Sequence, residues 1–478
     1  MGTDRDMPVQ VKDEEGTGTL QGVAAVAAGA GHTMALKENG AVQAWGANGD
    51  GQLGDGTYED SDTPVQVVLV AGDDPLTGVA AVAAGGVHTM ALKDDDGDKT
   101  VWAWGRNNNG QLGDGNYGTD KNTPVQVTGG LADIVGVAAG GSHTVALKDD
   151  GTVWAWGDNG SGQLGDGTHG DGSDKDTPVQ VAGGLLNVVA VAAGDYHTVA
   201  VKDVGGVKTV WTWGDNGSGR LGDGTHEDKY TPVQVLMETD PEPDPFTGAV
   251  AVAAGGSHTV ALKDDGTVWA WGDNSDGQLG DGDMWTDSDT PVQVKDEEGT
   301  GTLQGVAAVA AGWHHTVAVD NNGKVWAWGN NYDGQLGDGT HGSENNRYTP
   351  VQVVMELGGD PLAGVAAVAA GGGHTIALKG DGTVWTWGDN GSGQLGDGTD
   401  VDRYTPVQVI DEEDTTGFLT GVAAVAAGGG HTIALKENGT VWTWGYNYYG
   451  QLGDGTHGYG TGKATPVQAG LFYTGWHN

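Results

Sequence analysis

A single phrase, AAG followed by two mostly small residues and then HT, returns eight times along the 478 residues of this chain. It sits in a unit of about 55–60 residues that runs in fixed order through VAAVAAG, HTxALK, VWxWGxN, GQLGDG and TPVQV, a period typical of propeller-type arrays. The repeated histidines are His32, His88, His143, His197, His258, His315, His374 and His431. The tryptophans of the WG step are Trp45, Trp104, Trp156, Trp213, Trp271, Trp328, Trp387 and Trp444. A unit this short cannot bury an apolar face alone, so the copies must pack on one another. Residues 1–478 are therefore read as one repeat domain or a segment of a longer array.

Short β-rich runs between Gly, Asn and Asp turns, with no helical period, predict an all-β fold of four strands per unit, A to D. Strand A, AAVAAG, is small enough to converge with its copies on a crowded central axis. Strand B is HTVALK, and KDDGT or KENGT predicts a two-residue hairpin of the Asp-Gly or Asn-Gly type into strand C. Strand C, VWAWG, sets two tryptophans on one face to fill the wedge between neighbouring sheets. Strand D, PVQV, opens on proline, which places it at the outer edge. The expected architecture is a β-propeller of four-stranded antiparallel blades, eight in number.

The succession AAGxxHTxAL, VWxWGxNxxGQLGDG and TPVQV resembles the repeat of the regulator-of-chromosome-condensation (RCC1-like) family of β-propellers over essentially the whole chain. The resemblance implies the blade fold and a structural role for the repeated histidines. The family usually closes seven blades, whereas this chain has eight units.

The ends carry a surplus. GTDRDMPVQV at 2–11 aligns with GTDVDRYTPVQV at 398–409, and TPVQA follows the last unit at 465–469, so eight A–B–C sets come with nine D strands. The extra strand is displaced, or adds to an edge of another copy in a head-to-tail homo-oligomer, or belongs to a longer array.

Asp and Glu outnumber Lys and Arg by 65 to 21, for a formal charge of −44. Such a surface offers no basic footprint for nucleic acid or anionic lipid, and no run is long and apolar enough for membrane insertion. Of the acids 51 are Asp and 14 Glu, which marks them as turn formers. With no cysteine, no serine elbow and the repeated histidines at structural positions, no catalytic constellation is found and the chain is read as no enzyme.

Two sets of residues are candidates for binding. The positions just before each repeated histidine are small in most copies, and the exceptions are Asp195 and Tyr196 in the fourth unit and Trp313 and His314 in the sixth. An aromatic with a polar tip is a common interface anchor, so these four are the candidate contacts for a protein partner. The phrase GWHHT also resembles the GWRHT of plant ultraviolet-B photoreceptors in that family, with His314 in place of the arginine and only one unit carrying the tryptophan; photoreception is not adopted. The other set is Asp55, Asp114, Asp166, Asp223, Asp281, Asp338, Asp397 and Asp454 in the GDG loops, with Asp158, Asp215, Asp273 or Asp389 upstream. Hard oxygen ligands in turns suit calcium, although no EF-hand loop is present; the alternative is Asp as a turn former. Sequons stand at Asn159, Asn216, Asn390 and Asn438.

These features favour a non-enzymatic protein-binding or structural propeller, extracellular or on a cell surface, whose partner is another protein or itself. The alternatives are a guanine-nucleotide exchange factor and an inhibitor of a secreted enzyme such as a β-lactamase, both drawn from the family resemblance.

Overall fold

A computed structural model describes residues 9–12, 18–69, 74–95, 97–237, 243–411 and 416–464. Blade 1 is built from Val23–Ala28, His32–Lys37, Val42–Gly46 and Ser61–Gln66, antiparallel in that order from the axis outward. Blades 2 to 7 repeat it over 79–126, 134–180, 188–234, 249–293, 306–352 and 365–408. Blade 8 takes strands A to C from Val422–Ala427, His431–Lys436 and Val441–Gly445, and its outer strand from the other end of the chain, Val9–Gln10. There Val9 pairs with Thr443 and Gln10 with Trp442. The ring is therefore closed at eight blades. TPVQA at 465–469 lies outside the described residues, yet Lys463, just before it, bridges Gly445 where strand D starts in the other blades. The outer edge of blade 8 is thus a splice of both chain ends.

Two local expectations change. Strand D begins three residues before its proline, as in Ser61–Gln66, and the proline falls within the register shift between the Ala44 and Gly46 pairs, where a missing N–H costs no ladder bond. Blades 2 and 4 do close on two residues, with Val204 paired to Val207 across Gly205 and Gly206, but in the other six blades the B–C hairpin is a three-residue loop: Lys37 N–H bonds Ala41 O, and of the loop residues only Gly40 has positive φ, at 77°. A two-residue type I′ turn would require positive φ at both positions, which Asn39 does not adopt.

Each seam between blades holds one apolar cluster, eight in all. The tryptophan of the WG step leaves its own blade to fill the preceding one: Trp104 of blade 2 packs with Met34, Val42, Leu53 and Val67 of blade 1, and Trp45 of blade 1 packs with Ile433, Leu435 and Val441 of blade 8. All eight of these indoles are fully buried.

A polar ring runs through the same seams. The backbone carbonyl of the Gln in each GQLG, or of Arg220 in the fourth unit, accepts two hydrogen bonds from the next blade. One comes from the tryptophan Nε1, at 2.8–2.9 Å, and one from the threonine hydroxyl of the HT step, at 2.9–3.1 Å. That threonine oxygen also meets the histidine Nε2 of the preceding blade, at 2.9–3.4 Å around the whole circle, ending with His431 on Thr33. Since the hydroxyl spends its only proton on the carbonyl, the histidine must be the donor, so each ring is the neutral Nε2–H tautomer. The bare Nδ1 of all eight has no hydrogen-bond partner among the described residues and lies against the glycine of AAG, where a Cβ would overlap the imidazole.

Burial holds the eight imidazoles at about 3 to about 4, far below the ordinary 6.5. In the unfolded chain they regain 6.5, so the stability they confer is complete above that pH and declines as pH falls toward 4. Each contributes about 1.4 kcal/mol per pH unit within the window, and eight act together. The melting temperature is expected to be flat from pH 8 to 7 and to fall steeply below 6.5, with several protons taken up on unfolding. A flat profile down to pH 5 would contradict a neutral buried ring. Thr144→Val, which strands the His88 donor and removes one of the two hydrogen bonds to the Gln111 carbonyl, should destabilise by about 2–3 kcal/mol in urea unfolding, and Thr144→Ser by clearly less.

Candidate functional site

Strand direction places the A–B turns and the C–D loops on one face of the ring, with the B–C hairpins and D–A connections on the other. At the centre of the first face the ends of the eight A strands, all Ala and Gly, surround a channel mouth of about 600 Å³. Small residues are required there because successive turns touch: a Cβ on Gly86 would stand 3.2 Å from Gly141 O, and one on Gly372 only 2.8 Å from Gly429 O.

Trp313 is the exception that this crowding permits. Its indole projects along the mouth over the next two blades, with Cε3 3.3 Å from a Cβ position on Gly372 and Cζ2 3.7 Å from one on Gly429, and it remains 60% exposed. The glycines of blades 7 and 8 make room for the side chain of blade 6. Asp195 lines the same mouth, as does Tyr446, which sequence reasoning missed. Tyr196, 51% exposed, and His314 do not line it. His314 turns outward, its Nδ1 3.6 Å from the Asp276 carboxylate, which also accepts a 2.8 Å bond from Asn346. The four predicted contacts therefore share a face, and two of them, Trp313 and Asp195, share the mouth.

The C–D loops have a different organiser. The Asn of WGxN, as in Asn48, Asn159 or Asn390, is fully buried. In Asn48, Oδ1 accepts Leu53 N–H while Nδ2 donates to Asp55, Thr57 and Glu59 O. This hub recurs in all eight units and was visible in the sequence only as part of the repeat. It also explains three of the sequons: Asn159, Asn216 and Asn390 use their amide protons inside the loop, whereas Asn438 lies exposed in a B–C hairpin.

The eight GDG aspartates each serve their own loop. One oxygen of Asp166 accepts from the Thr168 N–H and hydroxyl, and the other meets Lys175 Nζ at 3.2 Å. Lys121 on Asp114, Lys229 on Asp223, Arg347 on Asp338, Arg403 on Asp397 and Lys463 on Asp454 repeat the pair, whereas the corresponding sequence position is Ser61 in the first unit and Ser288 in the fifth, whose hydroxyls donate to Thr63 O and Thr290 O. A cation partner does not alone set the titration, since burial raises the Asp454 carboxyl even beside Lys463. Burial raises the Asp281 carboxyl, whereas at Asp166 burial is outweighed by Thr168 and Lys175 and the carboxyl falls below its usual range. The upstream aspartates cap loop starts, with Asp273 accepting Ser275 N–H and Gln278 Nε2. Among the described residues no three His, Asp or Glu side chains converge as metal ligands would. Asp333 is the most perturbed carboxyl on this face: burial, then Asp389 and Asp402 across the seam, push it up to about 6. Its ionised form opposes folding, so its penalty is complete above about pH 6 and is relieved as pH falls from there toward 3.8, opposite in sign to the histidines.

With these geometries, EDTA is expected to leave the melting temperature unchanged. Asp166→Asn, which keeps the shape and removes the charge facing Lys175, should cost about 1–2 kcal/mol in chemical unfolding.

The family described as RCC1-like domain matches residues 1–242 and 238–477. The ultraviolet-B receptor UVR8 of Arabidopsis thaliana is 35% identical over 388 residues, covering 80% of each chain. The human E3 ubiquitin-protein ligase HERC2 is 33% identical over 417 residues, 85% of this chain but only 8% of that protein. Among solved structures, Prp20p from Saccharomyces cerevisiae, described with its binding to Gsp1p and histones, has a TM-score of 0.59 at 22% identity and covers 84% of this chain and 92% of its own, a likeness of fold.

Proposed function

This chain belongs to the RCC1-like family of β-propellers, and we propose that it is a non-catalytic propeller that binds a protein partner through the face carrying the A–B turns and C–D loops. The observation that carries this reading is Trp313. The repeat's recurring polar groups are consumed within the ring, in the His–Thr–carbonyl circle and the asparagine hubs, and at the channel mouth the lining is otherwise Ala and Gly apart from Asp195 and Tyr446. A large indole left 60% exposed on that mouth is the side chain free to act outside the fold. That relatives of this fold include a receptor and a protein described with Gsp1p and histones supports protein binding as the class of activity. The acidic surface favours a partner with a basic rim, and export or surface display is our proposed setting.

The test compares the full-length protein with Trp313→Ala and Asp195→Lys, immobilised at equal density and exposed to extracts of its native source. A discrete protein retained by the wild type and weakened at least tenfold by Trp313→Ala is expected. Equal retention by all three would move the binding surface elsewhere. Stimulated nucleotide release from a small GTPase, or inhibition of a β-lactamase, would assign the partner directly.

A second reading, self-assembly, is favoured by the spliced edge of blade 8. Val9–Gln10 hold strand C while Lys463 occupies the start of the same edge, so two D-type sequences contend for one position. Exchange of these strands between copies would join rings head to tail. Light scattering after gel filtration decides it: oligomers abolished by deleting residues 2–11 are expected under this reading, and a monomer at all concentrations removes it.

A further inference from the structure

The C–D loop of blade 8 departs from its seven counterparts. It reads YNYYG at 446–450, and the three tyrosine positions are elsewhere filled mainly by Asp, Asn, Gly and Ser. Tyr459, later in the same loop, joins them. Tyr448 meets Tyr449 edge-on with ring centres 4.8 Å apart and Tyr459 at 4.7 Å, and Tyr446 lies within 18° of parallel to Tyr448 at 6.4 Å. Tyr446, Tyr448 and Tyr459 form one wall of an open cleft of about 670 Å³ between the loops of blades 7 and 8. The opposite wall is 391–393 and 398–401, which presents Ser392 and Asp400. Tyr459 is 92% exposed, so its ring is not there to stabilise the fold.

We propose that this cleft binds a neutral oligosaccharide, whose pyranose faces stack on Tyr446, Tyr448 and Tyr459 while Ser392 and Asp400 bond its hydroxyls. Several features select that chemistry. Among the described residues, no hydrogen bond engages the hydroxyls of these tyrosines or of Ser392, which leaves donors and acceptors for a polyhydroxylated ligand. Among the described residues no Lys, Arg or His lines the cleft, and Asp400 with the net charge of −44 repels phosphate, nucleotides and acidic sugars. Val401 and Ala464 are the aliphatic residues of the lining, too few to favour an apolar peptide. A quaternary ammonium needs rings that enclose one point, but Tyr448 is in direct contact with Tyr449 and Tyr459, and the cleft is far larger than such a group. Its size lies within the ordinary range for small-ligand sites.

The site lies on the same face as Trp313 and Asp195 but apart from them, meeting the channel mouth only at Tyr446, and its test is separate. Full-length protein is run in native gels containing a soluble β-glucan, a xyloglucan, a galactomannan or dextran, and the apparent affinity is read from its retardation. Retardation by at least one polymer is expected. Tyr448→Ala and Tyr459→Ala should weaken it at least tenfold, Tyr459→Phe should retain most of it, and Trp313→Ala should leave it unchanged. Unaltered mobility in all four gels overturns the proposal, as does retardation that Tyr448→Ala and Tyr459→Ala leave intact while their melting temperatures match the wild type.

Discussion

At every seam one backbone carbonyl in a C–D loop receives the indole N–H and the threonine hydroxyl of the following blade, and that hydroxyl is in turn held by a histidine of the blade that donated the carbonyl. Packing and polarity are thereby fixed at the same point. The indole that fills the apolar wedge is also the group that satisfies the buried carbonyl, so a blade cannot slide along its neighbour without losing both the cluster and the hydrogen bonds. Because the acceptor is main chain, the side chain at that position is free, and Arg220 replaces the usual glutamine without disturbing the junction. Since the interaction is repeated eight times and closes on itself, the blade count is a property of the seam geometry and not of any single blade.

Closure also explains how the acidic surface is tolerated. The aspartates are spread over separate loops, and six of the eight GDG carboxylates face a Lys or Arg from strand D of their own repeat. The buried histidines are kept neutral, so none of them carries charge into the core. Acid therefore acts on the fold mainly through the imidazoles, and Asp333 is a local counter-current on the loop face.

Much of this was legible in the repeat. Eight units, four strands each, the tryptophans in the wedges and the small residues at the axis follow from periodicity and size; the histidines are structural, as read, but they bond a threonine hydroxyl of the next blade and not the backbone expected from their place near the A–B turn. The His–Thr partnership was not legible, because the partners sit 55 to 62 residues apart in different units, and 398 apart where the ring closes, and no local pattern links them. The hairpin type was misjudged because Asp-Gly and Asn-Gly suit either a two-residue turn or a three-residue loop with a glycine bulge, and the leaning of each hairpin on the next blade decides between them. At the mouth, Trp313 was found as a deviation from the repeat. Tyr446, by the same criterion equally deviant, was passed over because attention was on the two positions before each histidine, whereas the mouth is lined from the C–D loops as well.

The last point bears on how such a protein acquires specificity. When the units are this alike, PVQVKDEEGTGTLQGVAAVAAG being identical at 8–29 and 291–312, a contact made by the repeat itself is available eight times and cannot mark one direction on the ring. Directionality has to come from substitutions that only one or two units carry and that the seam geometry does not use. Trp313 and the tyrosines of blade 8 meet both conditions, and they lie on the same face: the indole reaches over Gly372 and Gly429 toward blade 8, and Tyr446 borders both the channel mouth and the tyrosine cleft. The ring supplies a rigid, symmetric frame; exposed aromatics such as Tyr196 and Trp285 break its symmetry singly, whereas from blade 6 to blade 8 Trp313 and the tyrosines gather beside the channel mouth.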